Sequence, residues 1–459
     1  MKKNNLLIEG NISQALIKLA LPIMGTSFVQ MAYNMTDMIW IGRVGSSAMA
    51  AVGTAGFFTW LAFAFIFIPK VAAEVGVAQS IGKEDMKEAK RYVRHTLQLI
   101  IFLAILYGTG LILFRESLIG FFNLGDAEIN GMAVSYLVIV ALGMIFYFVN
   151  PVLSGILNGA GNSRMPFKLN VIGLIVNMIL DPMMILGLGP FPALGVKGAA
   201  LATVIAQAIV TFFFIYNIIK AKGEIFSGIH LLTKPDLLHM KSIIKLGLPV
   251  AVQSGLFTIF SMVIARIIAQ WGPVPIAVQK VGSQIEAVSW LTAGGFSTAL
   301  SAFVGQNYGA EKWDRIQKGY YVALRIMGII GLAATCILVL GARPVFSIFL
   351  PEAEAVAYGV VYLRIIGLSQ LFMCIEITTS GAFNGLGKTV PPSIIGIVFN
   401  ALRIPLALIL SSESLLGLDG VWWSISITSV FKGIIMVGWF MIILHKKSYK
   451  PLHKNVQSS

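Results

Sequence analysis

The chain alternates long apolar runs with short polar stretches. One run, LQLIIFLAILYGTGLILF from Leu97 to Phe114, approaches the roughly 20 residues that cross the hydrocarbon core of a bilayer. Runs of this kind predict twelve membrane-spanning helices, near residues 16–41, 50–80, 95–114, 131–153, 168–188, 196–219, 244–269, 276–304, 320–341, 357–383, 392–411 and 420–444. A β-barrel would show short alternating segments instead, so the pattern indicates an all-α integral membrane protein.

The composition supports this interpretation. The 459 residues are 57% hydrophobic and 12% charged, whereas soluble domains carry about 25% charged residues. The first run lacks the small-residue cleavage site of a signal peptide, so we expect it to be retained. Cys336 and Cys374 lie in apolar runs without CxxC spacing, which predicts packing residues and neither a disulfide, a metal site nor a cofactor.

The net charge of +14 is distributed as in a membrane protein. If both termini are cytoplasmic, the basic residues concentrate in the loops on that side of the membrane. These residues are Lys83, Lys87, Lys90, Arg91, Arg94, Lys220, Lys222, Lys234, Lys241, Lys245, Lys446, Lys447, Lys450 and Lys454. We therefore expect a multi-pass protein of a bacterial-type inner membrane with both termini in the cytoplasm, and no nucleic-acid partner.

The second half of the chain repeats the first. IKLALP at Ile17–Pro22 returns as IKLGLP at Ile244–Pro249, an offset of 227 residues. Further matches follow in the same order: AQSIG with GQNYG, LNGAG with FNGLG, NMILDP with NALRIP, and GVKGAA with GLDGVW. Such an ordered series predicts an internal duplication of a six-helix unit.

Because six is an even number, both copies share one orientation in the membrane. The predicted organisation is a six-helix lobe over 1–220, a cytoplasmic linker over 221–243, a second six-helix lobe over 244–445 and a basic cytoplasmic tail over 446–459. Transporters place substrate and ion sites at such repeat interfaces. Duplication for stability alone is the alternative.

Two aspartates interrupt the apolar runs of the first half. Asp37 lies in YNMTDMIWIG and Asp181 in NMILDPMMIL, whereas the repeat places Ile264 and Ile404 at the matching positions. A carboxylate inside a bilayer costs a few kcal/mol or more. Acids that only one half retains are therefore candidate functional groups.

Each aspartate has polar neighbours at helical spacing. Asn177 and Asp181 share one helix face, beside Pro182, which removes a backbone donor. Oxygen ligands of this kind suit a hard monovalent cation, and two adjacent carboxylates could instead exchange a proton. These residue types do not distinguish between Na⁺ and H⁺ as the ion that binds.

On the first helix, Thr26, Gln30, Tyr33 and Asp37 form one stripe. Polar contacts between helices could explain the uncharged members, but they explain the acid poorly. We expect a cavity beside the stripe, with Pro22 opening the first helix as a gating kink. Its expected lining residues are Thr26, Gln30, Met31, Asn34, Phe257 and Phe260.

Other intramembrane charges are expected to be structural. Glu286 and Glu376 face several cations of the second half, so pairing is the first interpretation and a role in ion coupling the second. The sequence shows no catalytic constellation, so an intramembrane enzyme is not expected.

The motifs together resemble the multidrug and toxic compound extrusion (MATE) family over nearly the whole chain. The resemblance rests on LALPIM, MTDMIWIGRVG, AQSIGKED, LNGAGNSRMP, GVKGAALAT, GQNYGAEKWD and FNGLGKT. It implies a twelve-helix monomer in the bilayer that exports cationic or amphipathic drugs in exchange for protons or sodium.

The resemblance also implies a site. The acids match the DinF-like branch more than the NorM-like branch, since the NorM-like acids of the seventh and tenth helices have no counterpart in register here. In the DinF-like branch the ion site uses Asp37, Asp181, Asn177, Tyr33 and a threonine that corresponds to Thr203. A lipid-linked glycan flippase of the same wider superfamily is the alternative, because Lys280, Arg364 and Arg403 could hold a pyrophosphate.

Overall fold

The computed structural model describes residues 6–124, 126–189, 191–220, 224–412 and 414–448. Within these ranges every regular element is a helix. The first half contains α1 Leu6–Glu9, α2 Ile12–Val44, α3 Ser46–Gly82, α4 Met86–Leu113, α5 Arg115–Gly120, α6 Ala127–Leu142, α7 Met144–Gly159, α8 Arg164–Leu186 and α9 Val196–Lys220. Lys222 and the tail beyond residue 448 lie outside the described residues.

The second half repeats this order. It contains α10 Leu237–Ile268, α11 Pro273–Gly309, α12 Trp313–Leu340, α13 Ala342–Ser347, α14 Ala353–Gly385, α15 Val390–Leu410 and α16 Leu418–Ser448. Short 3₁₀ helices lie at Glu224–Phe226 and Ala269–Trp271. The prediction of an all-helical membrane protein is confirmed.

In the described part of the chain, eleven helices are long and apolar enough to cross a membrane, and α6 with α7 can form a twelfth span. The prediction of one continuous helix over 131–153 is wrong in detail, because the chain bends by 50° between α6 and α7. The bend lies at Gly143, where a Cβ atom would meet Val204 of α9 at 2.5 Å. A glycine therefore lets α9 approach the bend closely.

Pro22 does not open the first helix, as the sequence predicted, but lies inside α2, which begins ten residues earlier at Ile12. Asn11 explains the earlier start, because its side chain accepts a hydrogen bond from the amide of Gln14 at 3.1 Å. A side-chain acceptor just before the first turn stabilises a helix start. Pro22 can still bend α2 from within.

The chain divides by contacts into two compact units. The first unit is Gly25–Ala251, and the second unit comprises the residues up to Met24 together with those from Val252 onward. Thus α2 begins in the second unit and ends in the first, and α10 does the reverse. These limits differ from the predicted lobes 1–220 and 244–445, because α1 and the start of α2 pack with α11, α12 and α14. The lobes of the repeat stay a prediction.

The surface fits a lipid environment. Large apolar side chains are exposed along the long helices, among them Leu113, Ile329 and Leu340, each at 70% or more. Soluble monomers rarely expose such extensive apolar area. The core of the first unit is built from small residues of α3, including Ala51, Ala55 and Ala62, which let neighbouring helices pack closely.

The described part of the linker is held against α4 within the first unit. Gln98 donates from its side-chain amide to the carbonyls of Leu231 and Thr233, both at 2.8 Å. The amide of Asp236 donates to Nε2 of His95 at 3.1 Å. Asp236 then starts α10, because its carboxylate accepts the amide of Leu238 at 3.0 Å.

Candidate functional site

The predicted ion-site residues come together inside the first unit, from α2, α8 and α9. Close packing of α8 and α9 makes this possible. Gly198, at the start of α9, lies so near α8 that a Cβ atom there would be 2.1 Å from the carbonyl oxygen of Met184. Two helices can approach in this way only where one of them has no side chain.

Asp37 and Asp181 approach each other within hydrogen-bonding range. Asp181 and Asn177 have no exposed surface, and Nδ2 of Asn177 donates to Oδ1 of Asp181 at 3.0 Å. Their spacing of four residues on α8 places both on one face, as the sequence predicted. The two acids of the first half therefore form one cluster, with Asp181 fully buried and Asp37 half-buried, although 144 positions separate them in the chain.

Thr203 and Tyr33 join the cluster. The hydroxyl of Thr203 donates to Oδ2 of Asp37 at 3.4 Å, a long hydrogen bond. The hydroxyl of Tyr33 donates to the main-chain carbonyl of Thr203 at 3.3 Å. Thr203 is thus placed between Asp37 and Tyr33.

Three oxygens of the cluster lack a hydrogen-bond donor among the described residues. They are Oδ1 of Asp37, Oδ1 of Asn177 and Oδ2 of Asp181, all buried. Buried acceptors without a partner are costly in a folded protein. One proton shared by the carboxyls, or one cation bound by the three oxygens, would satisfy them.

The residues predicted to line a cavity fall in both units. Thr26, Met31, Gln30 and Asn34 lie on α2 in the first unit, and the last two are exposed. Phe257, also exposed, and the half-buried Phe260 lie on α10 in the second unit, as does Pro22 on α2. A shared cavity stays a prediction.

The sequence did not lead us to a set of polar residues on α7 and α9 that lies next to Tyr33. The side chain of Gln207, one turn beyond Thr203 on α9, lies close enough to the Tyr33 hydroxyl to interact with it. Asn150 of α7 donates from Nδ2 to Oε1 of Gln207 at 2.8 Å, and Thr211 donates to Oδ1 of Asn150 at 2.8 Å. The available signal was the four-residue spacing of Thr203, Gln207 and Thr211 along an apolar helix.

The secondary candidates Glu286 and Glu376 have partners within the second unit. Glu376 forms an ion pair with Lys432 at 3.1 Å, and both side chains are more than 90% buried. Glu286 accepts the hydroxyl of Tyr362 at 2.9 Å and the amide of Gln370 at 3.4 Å. These contacts fit the structural pairing that the sequence favoured.

Comparison with known proteins places these features in a family. A family model described as MatE matches residues 22–183 and 249–409. The same model thus matches once in each half, at starts separated by the offset of the repeated motifs, which confirms the duplication.

Similar proteins cover almost the entire chain. The "Probable multidrug resistance protein NorM" of Thermotoga maritima is 29% identical over 94% of this chain and 92% of its own length. The "Probable multidrug resistance protein YpnP" of Bacillus subtilis is 25% identical over 92% of this chain and 93% of its own. A solved structure, the outward-facing conformation of a multidrug resistance MATE family transporter, is 25% identical with a TM-score of 0.89, covering 97% of this chain and 99% of that one.

Proposed function

Because the chain belongs to the MatE family of membrane transporters, we propose that it is an ion-coupled multidrug antiporter. It exports cationic or amphipathic drugs by alternating access and takes up protons or sodium in exchange. The observation that carries the proposal is the approach of Asp37 to the fully buried Asp181. Three buried oxygens, of Asp37, Asn177 and Asp181, lack a hydrogen-bond donor there among the described residues.

Coupling in the first unit explains why only one half keeps its acids. A buried carboxylate without a fixed cation must be neutralised by a proton or a metal cation. In the second unit Lys432 neutralises Glu376. Glu286 is half-buried, interacts with the charge of Arg403 and accepts two hydrogen bonds. The arrangement supports a coupling site of the DinF-like kind.

Antiport follows if drug release and ion binding are linked. A cation or proton at Asp37 and Asp181 removes the negative charge that attracts a cationic drug to the exposed Gln30 and Asn34 nearby on α2. Bending of α2 at Pro22 is the proposed gate, because α2 passes from one compact unit to the other just after this residue.

The surroundings of the protein are part of the proposal. We place a monomer in a bacterial-type inner membrane with both termini in the cytoplasm. The turn between α3 and α4 supports this orientation, because Lys83, Lys87 and Arg91 are exposed there and cytoplasmic loops are enriched in such residues.

A flippase for lipid-linked glycans has less support. Such a protein needs free cations to bind pyrophosphate. Arg403 instead donates to the hydroxyls of Thr428 and Ser429, both at 3.0 Å.

Drug resistance in cells that lack other efflux pumps tests the proposal. Asp37→Asn and Asp181→Asn should each abolish resistance to a cationic dye such as ethidium while the membrane level of the protein stays normal. Asp126→Asn is the matched control, because Asp126 is a helix cap before α6 and asparagine caps equally well. Wild-type resistance in both site variants would contradict the assignment.

A further inference from the structure

A directional series of hydrogen bonds leads from Thr211 of α9 through Asn150 of α7 toward the ion site. It begins at Thr211, whose hydroxyl donates to Oδ1 of Asn150 at 2.8 Å. Nδ2 of Asn150 then donates to Oε1 of Gln207 at 2.8 Å and also to its main-chain carbonyl at 3.0 Å. Gln207 contacts Tyr33, whose hydroxyl donates to the carbonyl of Thr203.

Each hydrogen bond in this series has a defined donor and acceptor, and together they point in one direction. Asn150 accepts through its oxygen and donates through its nitrogen, so its amide orientation is fixed by two partners. Tyr33 has a single hydroxyl proton, which it donates to Thr203. With that proton used and Oε1 of Gln207 bonded to Asn150, Nε2 of Gln207 is the group available to interact with the oxygen of Tyr33.

Burial makes the chain sensitive to the loss of any member. Asn150 is 4% exposed, Thr211 8% and Tyr33 9%, whereas Gln207 is half-buried. Removing one partner would leave a buried polar group unpaired, and hydrogen bonds in such a network strengthen one another. The position of the Tyr33 hydroxyl therefore depends on groups that do not touch either aspartate.

We infer that Gln207 is a positioning residue for ion coupling. Held by Asn150, it fixes the hydroxyl of Tyr33 on the carbonyl of Thr203, and so fixes the turn of α9 from which Thr203 donates to Asp37. This inference rests on the proposed coupling role of Asp37 and Asp181. The affinity for the coupling ion then depends in part on the side-chain amide of Gln207, which is not one of the proposed ion ligands.

The second half of the chain has a different residue, with a different partner, at the position equivalent to Asn150. The match of Asn158 with Asn384 places Glu376 at the position of Asn150. Glu376 of α14 pairs with Lys432 of α16, whereas Asn150 of α7 pairs with Gln207 of α9. Both halves thus connect equivalent helices, but only the amide bridge of the first half continues through a tyrosine to two aspartates.

Transport by the full chain in proteoliposomes tests the inference. Ethidium efflux is measured while the coupling ion is varied, which gives the half-saturating ion concentration separately from the half-saturating ethidium concentration. Gln207→Met removes the amide but keeps the side-chain volume. This variant should change the half-saturating ion concentration by about threefold to tenfold, as expected for one hydrogen bond. It should leave the half-saturating ethidium concentration unchanged.

The direction of the change depends on the ion. For sodium the half-saturating concentration should rise, because Thr203 is less well positioned as an oxygen ligand. For protons it should fall, because a weakened donor from Thr203 disfavours the charged carboxylate of Asp37.

Two further variants make the test specific. Tyr33→Phe should shift the ion value as Gln207→Met does, and the double variant should shift it no further, because both changes break the same chain. Asn217→Ala is the control, since Asn217 lies on α9 and its side chain, among the described residues, bonds only the carbonyl of Phe213 within its own helix. It should leave both values unchanged.

The outcomes separate this inference from the proposed function. If wild-type efflux is ion-driven, two results would overturn the positioning role of Gln207. One is an unchanged half-saturating ion concentration in folded Gln207→Met, and the other is an additive shift of that concentration in the double variant. Equal shifts in the ion and ethidium values would indicate general loss of structure and would also overturn it. Wild-type efflux that responds to neither gradient would remove the proposed function itself, and the inference with it.

Discussion

Asn177 donates to one oxygen of Asp181 at 3.0 Å and thereby orients the other carboxyl oxygen of Asp181 and its own carbonyl oxygen. Neither of these oxygens meets a donor in the described part of the chain. One amide thus fixes two acceptors beside Asp37. This geometry is expected of a site that binds a small cation or a proton.

Removal of the Asn177 amide should impair coupling. Asn177→Ala takes away one unsatisfied oxygen and the donor that orients Asp181, so gradient-driven ethidium efflux should fall at least tenfold, which corresponds to about 1.4 kcal/mol. Asn170→Ala is a suitable control on the same helix, because the Asn170 side chain bonds only the carbonyl of Pro166 within the described part of the chain. Equal efflux by Asn177→Ala and the wild type would show that Asn177 is not part of the site.

The packing of α8 against α9 should be intolerant of any side chain at Gly198. A methyl group there would meet the carbonyl of Met184 at 2.1 Å, so the helices must separate. Gly198→Ala should lower the free energy of unfolding by about 1–3 kcal/mol, measured as a lower melting temperature of the purified protein.

Gly110→Ala provides the comparison for this packing effect. Gly110 also lies inside a helix, α4, but no described atom lies within 4 Å of an added methyl group. Its melting temperature should stay the same or rise. A similar loss of stability in both variants would indicate that the α8–α9 contact is not the cause.

Much of the site could be predicted from the sequence. The acids, Asn177 and the stripe on α2 were visible because polar residues in apolar helices are costly and their spacing reports a shared helix face. The approach of Asp37 to Asp181 needed the fold, since spacing within a helix says nothing about its neighbours.

Two features could not be predicted, for physical reasons. Asn150 and Gln207 are uncharged, so they cost less in a bilayer than an acid and stand out less in an apolar run. The bend between α6 and α7 depends on Val204 packing against Gly143, a contact between residues distant in sequence.

The ion pair of Glu376 and Lys432 should matter for stability rather than for coupling. Lys432→Met leaves a buried carboxylate without its cation and should destabilise the protein by about 3 kcal/mol or more. Glu376→Gln combined with Lys432→Met should recover most of this loss and keep ion-driven efflux. A double variant that is stable but no longer responds to the ion gradient would assign coupling to the second unit.

The start of α10 should depend on Asp236. Hydrogen bonds from the backbone amide of Leu238, and to a smaller extent from that of His239, hold the pKa of Asp236 below its usual value. The carboxylate therefore stabilises the helix start above the ordinary Asp pKa, and this contribution is lost as the pH falls through the lowered one.

Hydrogen exchange over residues 237–241 can measure this effect. Asp236→Ala should exchange faster than the wild type at neutral pH. Asp236→Asn, which can still cap the helix but carries no charge, should exchange at an intermediate rate. Rapid exchange in Asp236→Asn would mean that the charge, and not the cap, holds the helix start.

The central claim is that Asp37 and Asp181 couple ion entry to drug export. The most direct measurement is ethidium efflux from proteoliposomes under an imposed pH gradient and, separately, a sodium gradient, with wild type, Asp37→Asn and Asp181→Asn reconstituted at equal density. We predict that one of the two gradients drives efflux by the wild type and that both variants lose this drive. Gradient-driven efflux at the wild-type rate in either variant would contradict the claim.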